Sequence, residues 1–176
     1  VYGCANNPLD VDASQIKVDL TFVNVDSALM NTDSAELIRY HNKFKKDIKD
    51  IYSYEIGMCL QIGDVDDTAF YNSIYKFRKD SSIQLLSKNI ESAFKDKSKI
   101  EAKITDGFRH LKYHFPKGKI PTHIVYLNSL LTSGVFSTEK EIGIGLERFL
   151  GDSSEFIRKL NPKFYYDWMK KAMNAK

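Results

Sequence analysis

The chain of 176 residues is 43% hydrophobic and 28% charged. That is the composition of a globular body with one core, or at most two small ones, and it excludes a disordered chain or a fibre. Its 26 Lys and Arg against 23 Asp and Glu leave a net charge of +3, too small an excess for a dedicated nucleic-acid binder, which gains affinity by releasing counterions from phosphates.

The opening Val1-Tyr2-Gly3-Cys4 leads into Ala5-Asn6-Asn7-Pro8, and residues 1–15 read as a polar tether. A small residue before Cys, with an aliphatic residue three positions ahead of it, is how a bacterial lipoprotein signal ends. Cys4 would then carry acyl chains into a lipid bilayer, each buried CH₂ contributing about 0.8 kcal/mol. The plain alternative is a chance Cys near a terminus. No run of about 18 apolar residues is present, so no segment reads as a membrane span.

Residues 16–176 read as a single α+β domain. Ile16, Val18, Leu20 and Phe22 alternate with Lys17, Asp19 and Thr21, which predicts a half-buried strand over 16–23. Capping residues Asn31-Thr32-Asp33-Ser34 precede a helix over 34–54 whose stripe is Leu37, Tyr40, Phe44, Ile48, Ile51 and Tyr52, with Gly57 as its stop. Lys43, Lys45, Lys46 and Lys49 are interrupted by Asp47 and Asp50, the pattern of a solvated helix face. Cys59 sits among apolar residues and reads as a small buried hydrophobe. Asp64, Asp66 and Asp67 are spaced like part of a calcium loop, but the central Gly and closing Glu are missing, and capping of a helix from Thr68 is the simpler role.

Three further helices are predicted over 68–78, 82–95 and 98–114. The last has the clearest helical period, in Ile100, Ile104, Phe108, Leu111 and Phe115, and its Gly107 suggests a close helix crossing. His110 and His114 lie one turn apart, which is metal geometry, but the Glu of a His-Glu-x-x-His pattern is absent. No metal or cofactor is expected within the chain.

Pro116, Gly118 and Pro121 end that helix. Residues 122–128, with Tyr126 near the centre, form the best strand, β-branched and aromatic. Residues 133–137 read as a short strand or turn. A second good strand covers 141–147, where Gly143 and Gly145 leave one face open for a neighbour to pack flat. The two good strands are expected to be antiparallel neighbours across the 129–140 loop, with 122–128 offering an exposed edge. Glu139 and Glu141 read as a solubilising edge, and Glu147 as an ion-pair partner of Arg148 that holds the loop to Gly151 and Asp152. Asn161-Pro162 would start a terminal helix over 163–176, with Phe164, Trp168, Met169, Ala172 and Met173 as its stripe. The fold expected is mainly helical, with a small antiparallel sheet and a hairpin within 122–147. Nothing pairs a nucleophile with a base, and no carboxylate pair is set apart by its surroundings, so no enzyme is expected.

Three stretches carry a resemblance. They are Phe115-Pro116-x-x-x-x-Pro121-Thr122 running into Ile124-Val125-Tyr126, then Ile142-Gly143-Ile144-Gly145-Leu146-Glu147-Arg148-Phe149-Leu150-Gly151, and Leu160-Asn161-Pro162-Lys163-Phe164-Tyr165. Together with the Cys4 opening, the chain resembles the gliding-motility lipoprotein B (GldB-like) family of Bacteroidetes bacteria. The resemblance implies a lipid-anchored protein of the cell envelope, folded outside the cytoplasm, whose partners are other gliding or secretion components. Pro116, Pro121, Tyr126, Gly143, Gly145, Glu147, Arg148, Gly151 and Pro162 within these stretches read as structural or interaction positions, as does Trp168 on the aromatic stripe of the terminal helix. Members of that family carry a further C-terminal region, so the chain reads as a shortened relative or a fragment. The family is also similar to predicted zinc peptidases. On that alternative the chain is the substrate-side half of a peptidase-like domain, with its metal motif beyond residue 176.

Overall fold

A computed structural model describes residues 11–174; Cys4 and the first ten residues of the expected tether lie outside them. The elements in order are β1 (Thr21–Asn24), α1 (Val25–Asn31), α2 (Ser34–Asp47), α3 (Lys49–Tyr54), a π-helical turn (Glu55–Cys59), α4 (Phe70–Lys79), α5 (Ser81–Ala93), α6 (Ser98–His114), β2 (His123–Leu127), β3 (Val135–Ser137), β4 (Glu141–Gly145), a 3₁₀ turn (Leu146–Phe149), α7 (Glu155–Lys159) and α8 (Asp167–Ala172). The α+β reading, mainly helical with a small sheet, holds.

The strand pairing differs from the expectation. The sheet order is β1-β2-β4-β3, with β1, β2 and β4 parallel and only β3 antiparallel, to β4. Strands 122–128 and 141–147 are therefore parallel neighbours. The reason lies in the intervening chain: β3 descends the outer side of the sheet, and the turn at 138–140 sends β4 up between β2 and β3. The hairpin is β3–β4, and β2 is a central strand rather than an edge. Its composition explains this position. Ile124 and Tyr126 enter one core, Val125 and Leu127 the other, and a continuous apolar run is what a strand covered on both faces requires.

The first core joins α1–α4 and the π-helical turn to the Val125/Leu127 face, with Leu37, Phe44, Ile48, Ile51, Tyr52 and Ile74 at its centre. The second packs Leu86 and Ile90 of α5, Phe94 at its C-terminal cap and Ile157 of α7 on the Ile124/Tyr126 face. Each such side chain contributes roughly 1.5–3 kcal/mol by leaving water.

Local chemistry sets the helix bounds. Asp33 Oδ1 accepts the Glu36 amide at 2.8 Å, and Asp80 Oδ1 accepts those of Ser82 and Ile83 at 2.8 and 3.1 Å. The helix expected over 34–54 breaks at Ile48, whose φ of −140° is not helical. Chain continuity is then kept through the π-helical turn, so Gly57 is no stop. Residues 16–20 alternate in exposure as expected, but only 21–24 gain a strand partner, because β2 begins at His123. Helix α6 buries none of its residues fully: Ile100, Ile104 and Phe108 lie partly against the second core, while Leu111 and Phe115 remain exposed. A Cβ at Gly107 would meet nothing within 4 Å, so no close crossing occurs there. The terminal helix is shorter than expected. Residues 161–166 form turns after Pro162, and α8 starts at Asp167.

Candidate functional site

The carboxyl ends of three parallel strands converge. Asp26 follows β1, Asn128 and Ser129 follow β2, and Glu147 follows β4; the π-helical turn adds Glu55. In open sheets with parallel strands this is the end where polar function collects. Here it is closed to solvent, with Asp26 at 6%, Glu55 and Glu147 at 0%, and Asn128 at 1% exposure.

Glu147 Oε1 is the hub. It accepts the Ser129 amide at 3.0 Å, the Leu131 amide at 2.9 Å and a short hydrogen bond from the Ser129 hydroxyl. These bonds hold the loop in a path where Leu130 and Leu131 have φ of 49° and 66°, a strained region for leucine. Glu147 thus ties down residues 129–131, not the expected 148–152 loop, and it makes no ion pair with Arg148. The Arg148 guanidinium instead donates to the Leu131 carbonyl at 3.4 Å. Glu55 Oε1 accepts the Asn128 amide at 3.4 Å, and Asn128 Oδ1 accepts that of Leu130 at 3.0 Å. Glu55 Oε2 and Glu147 Oε2 are buried without a hydrogen-bond partner among the described residues.

Buried carboxylates this close disfavour ionisation. Burial, then the neighbouring Glu147, pushes the Asp26 carboxyl up to about 7, although the Asn128 side chain opposes this. Burial and Asp26 hold Glu55 well above its usual range. Burial also raises Glu147, against the hydrogen bonds from Ser129 and Leu131. The arrangement favours the protonated carboxyls and braces three strand ends. Among the described residues, no group of three or more His, Cys, Asp or Glu is placed to hold a metal ion.

The glycines next to this cluster serve close packing. A Cβ on Gly143 would come within 2.6 Å of the Phe136 ring, which β3 lays across it and which also packs on Tyr54. A Cβ on Gly145 would collide with the Ser133 carbonyl and lie 2.8 Å from the Ser129 hydroxyl. A ring can swing aside and a backbone carbonyl held by a loop cannot. Gly145→Ala is therefore expected to cost about 2–3 kcal/mol and Gly143→Ala less; equal urea midpoints for the two variants would contradict this ranking.

The other expected positions scatter. Tyr126 is buried and stacks on Phe22 at 6.2 Å; burial, and then the neighbouring Glu101, raises its hydroxyl. Gly151 has a φ of +80° and donates its amide to the Met173 carbonyl, fastening the C-terminal segment. Pro116 is exposed and Pro121 half-buried in the link to β2; Pro162 and Trp168 are exposed. Glu141, expected at a wet edge, is buried and accepts the Ile51 amide and the Thr138 hydroxyl, both at 3.1 Å, while Glu139 is exposed and paired with Lys119. Cys59 is buried, and burial pushes its thiol up to about 12, so it is unreactive. His110 lies against Asp106 and the Val11 carbonyl, which accounts for it without a metal. Asp66 pairs with Lys45 and Lys49, and Asp67 caps Ala69, in place of a calcium loop.

Sequence reasoning missed Asp26 and Glu55, although a signal was present. Asp26 is the only charge between Asp19 and Asp33, and Glu55 the only one between Asp50 and Asp64. A lone carboxylate in a long uncharged run has few ways to stay in water once the run is buried.

No helix among the described residues is long and apolar enough to cross a membrane. The family described as Gliding motility protein GldB matches residues 6–176. No curated protein and no solved structure gives a match. Because the match spans nearly the whole chain, this protein belongs to the gliding motility protein GldB family.

Proposed function

We propose that the chain is a non-catalytic component of the gliding machinery, held to the cell envelope by lipid on Cys4 and acting through contacts with other envelope proteins. The family match over 6–176 carries this reading. The buried acid cluster supports it, because its carboxyls face one another and backbone amides rather than any surface a substrate can reach. The peptidase alternative puts its metal ligands beyond residue 176, and no observation on the described residues favours it. Residues 1–15 act as the slack between anchor and domain, and 16–176 as the working body. The edge once expected of residues 122–128 is taken on both sides, by β1 and β4, so partner contact falls to other surfaces.

The anchor is tested in the native host with its full precursor. Wild-type protein should sediment with membranes after lysis, and Cys4→Ala should release it to the soluble fraction. Equal sedimentation of both would remove Cys4 as the anchor. A variant that leaves the membrane yet supports gliding would separate anchoring from function.

A further inference from the structure

Residues 158–174 place three aromatic side chains in solvent within five positions: Phe164 at 71%, Tyr166 at 57% and Trp168 at 69% exposure. The segment is firmly tied. Tyr165 and Met173 pack into the second core, and the Asn161 carbonyl accepts the amides of Phe164 and Tyr165 at 3.0 and 2.9 Å. Lys170 Nζ donates to the carbonyls of Leu160 at 2.7 Å and Arg158 at 3.2 Å. Its outward rings are therefore held in place by the fold.

The charges around the rings are mainly positive. Arg158, Lys159, Lys163, Lys170 and Lys171 face only Asp167 within 158–174; Asp152 and Glu155 add two carboxylates from the preceding turns, and Glu155 is paired with Lys159 at 2.6 Å. Lys163 and Lys171 are exposed on either side of the aromatic positions. Protein interfaces are enriched in aromatics but depleted in Lys. Aromatics with Lys beside them suit the headgroup layer of a bilayer, where the rings enter the interface and the ammonium groups meet phosphates.

We propose that residues 158–172 form a bilayer-contact patch that seats on anionic phospholipid. This deepens the envelope reading by adding a second, non-covalent contact to the same membrane, and it is testable on protein that carries no acyl chain. Trp168 is the only Trp in the chain, so its fluorescence reports on this patch alone.

Unacylated protein is titrated with vesicles of phosphatidylcholine alone or mixed equally with phosphatidylglycerol. The mixed vesicles should blue-shift Trp168 emission, brominated acyl chains should quench it, and added salt should reverse the shift. The double variant Lys163→Glu, Lys171→Glu changes exposed positions only. It should weaken partitioning by on the order of tenfold or more, with an unchanged circular dichroism spectrum. No shift with mixed vesicles overturns the proposal, as does equal binding to both vesicle types. A blue shift that grows with protein concentration in the absence of lipid assigns the patch to a second copy and overturns it as well. Failure here leaves the Cys4 anchor standing, since that is read by fractionation in cells, and loss of the anchor leaves vesicle binding unaffected.

Discussion

Glu147→Ala is expected to lower the stability of the domain by about 3–5 kcal/mol, whereas Glu147→Gln stays within about 1 kcal/mol of wild type. Alanine removes the acceptor of the buried Ser129 amide and the part-buried Leu131 amide, leaving the Ser129 hydroxyl its bond to the Ser133 carbonyl, and each buried donor left unpaired costs roughly 1–3 kcal/mol. The loss is concentrated in a loop that two leucines with positive φ already strain, so residues 129–133 should open first. Glutamine keeps a carbonyl oxygen at the Oε1 position and puts an amide at Oε2, an atom with no hydrogen-bond partner among the described residues. Urea unfolding of the two variants, with hydrogen exchange at Ser129 and Leu131, measures the difference. Equal losses for Ala and Gln would mean that an ionised carboxylate, rather than an acceptor, is what the loop needs.

The second large effect is a loss of stability as pH rises through the neutral range. The Asp26 carboxyl goes from an ordinary value of 3.8 to about 7 on folding. Between those limits the folded chain holds a proton that the unfolded chain has released, so stability falls with rising pH. The contribution is complete below about pH 4 and gone above about pH 7. At about 1.4 kcal/mol per unit, the span is on the order of 4 kcal/mol. Glu55, raised by burial and by Asp26, acts in the same sense. Exposed carboxylates such as Asp66, held low by Lys45, act in the opposite sense, so the comparison with Asp26→Asn isolates the cluster. The variant should gain on wild type steadily between pH 4 and 7 in urea midpoint and hold a constant difference above that. A difference independent of pH would show that Asp26 is ionised in the folded protein.

The cluster shows where a one-dimensional reading stops. Asp26, Glu55, Asn128 and Glu147 are far apart in the chain, and no spacing rule links them. They meet because β1, β2 and β4 run parallel and deliver their carboxyl ends to one place, with the π-helical turn feeding Glu55 in from the side. An antiparallel pairing of the two strands over 122–147 points those ends in opposite directions. It leaves Glu147 beside its sequence neighbour Arg148 and Glu141 at a wet edge, whereas both are buried acceptors. The glycine pair fared better. Bare positions in a strand imply something packed flat against them whichever way the strand runs, and Phe136 and the 129–133 loop occupy that space.

By itself, the sequence determined what depends on near neighbours. It placed the helices over 70–114 closely, because side-chain periodicity and Asp caps act within a turn or two of chain. It also identified residues 122–128 as a strand, because β-branched and aromatic side chains suit a pleated surface whatever lies beside it. Tertiary structure alone decided strand direction, the break at Ile48, the exposure of Leu111, Phe115 and Trp168, and the meeting of three acids. Strand direction was left open because a two-residue period is the same for parallel and antiparallel pairing. Exposure was open because an apolar stripe fixes which face of a helix seeks cover, while the cover itself comes from residues far away in the chain.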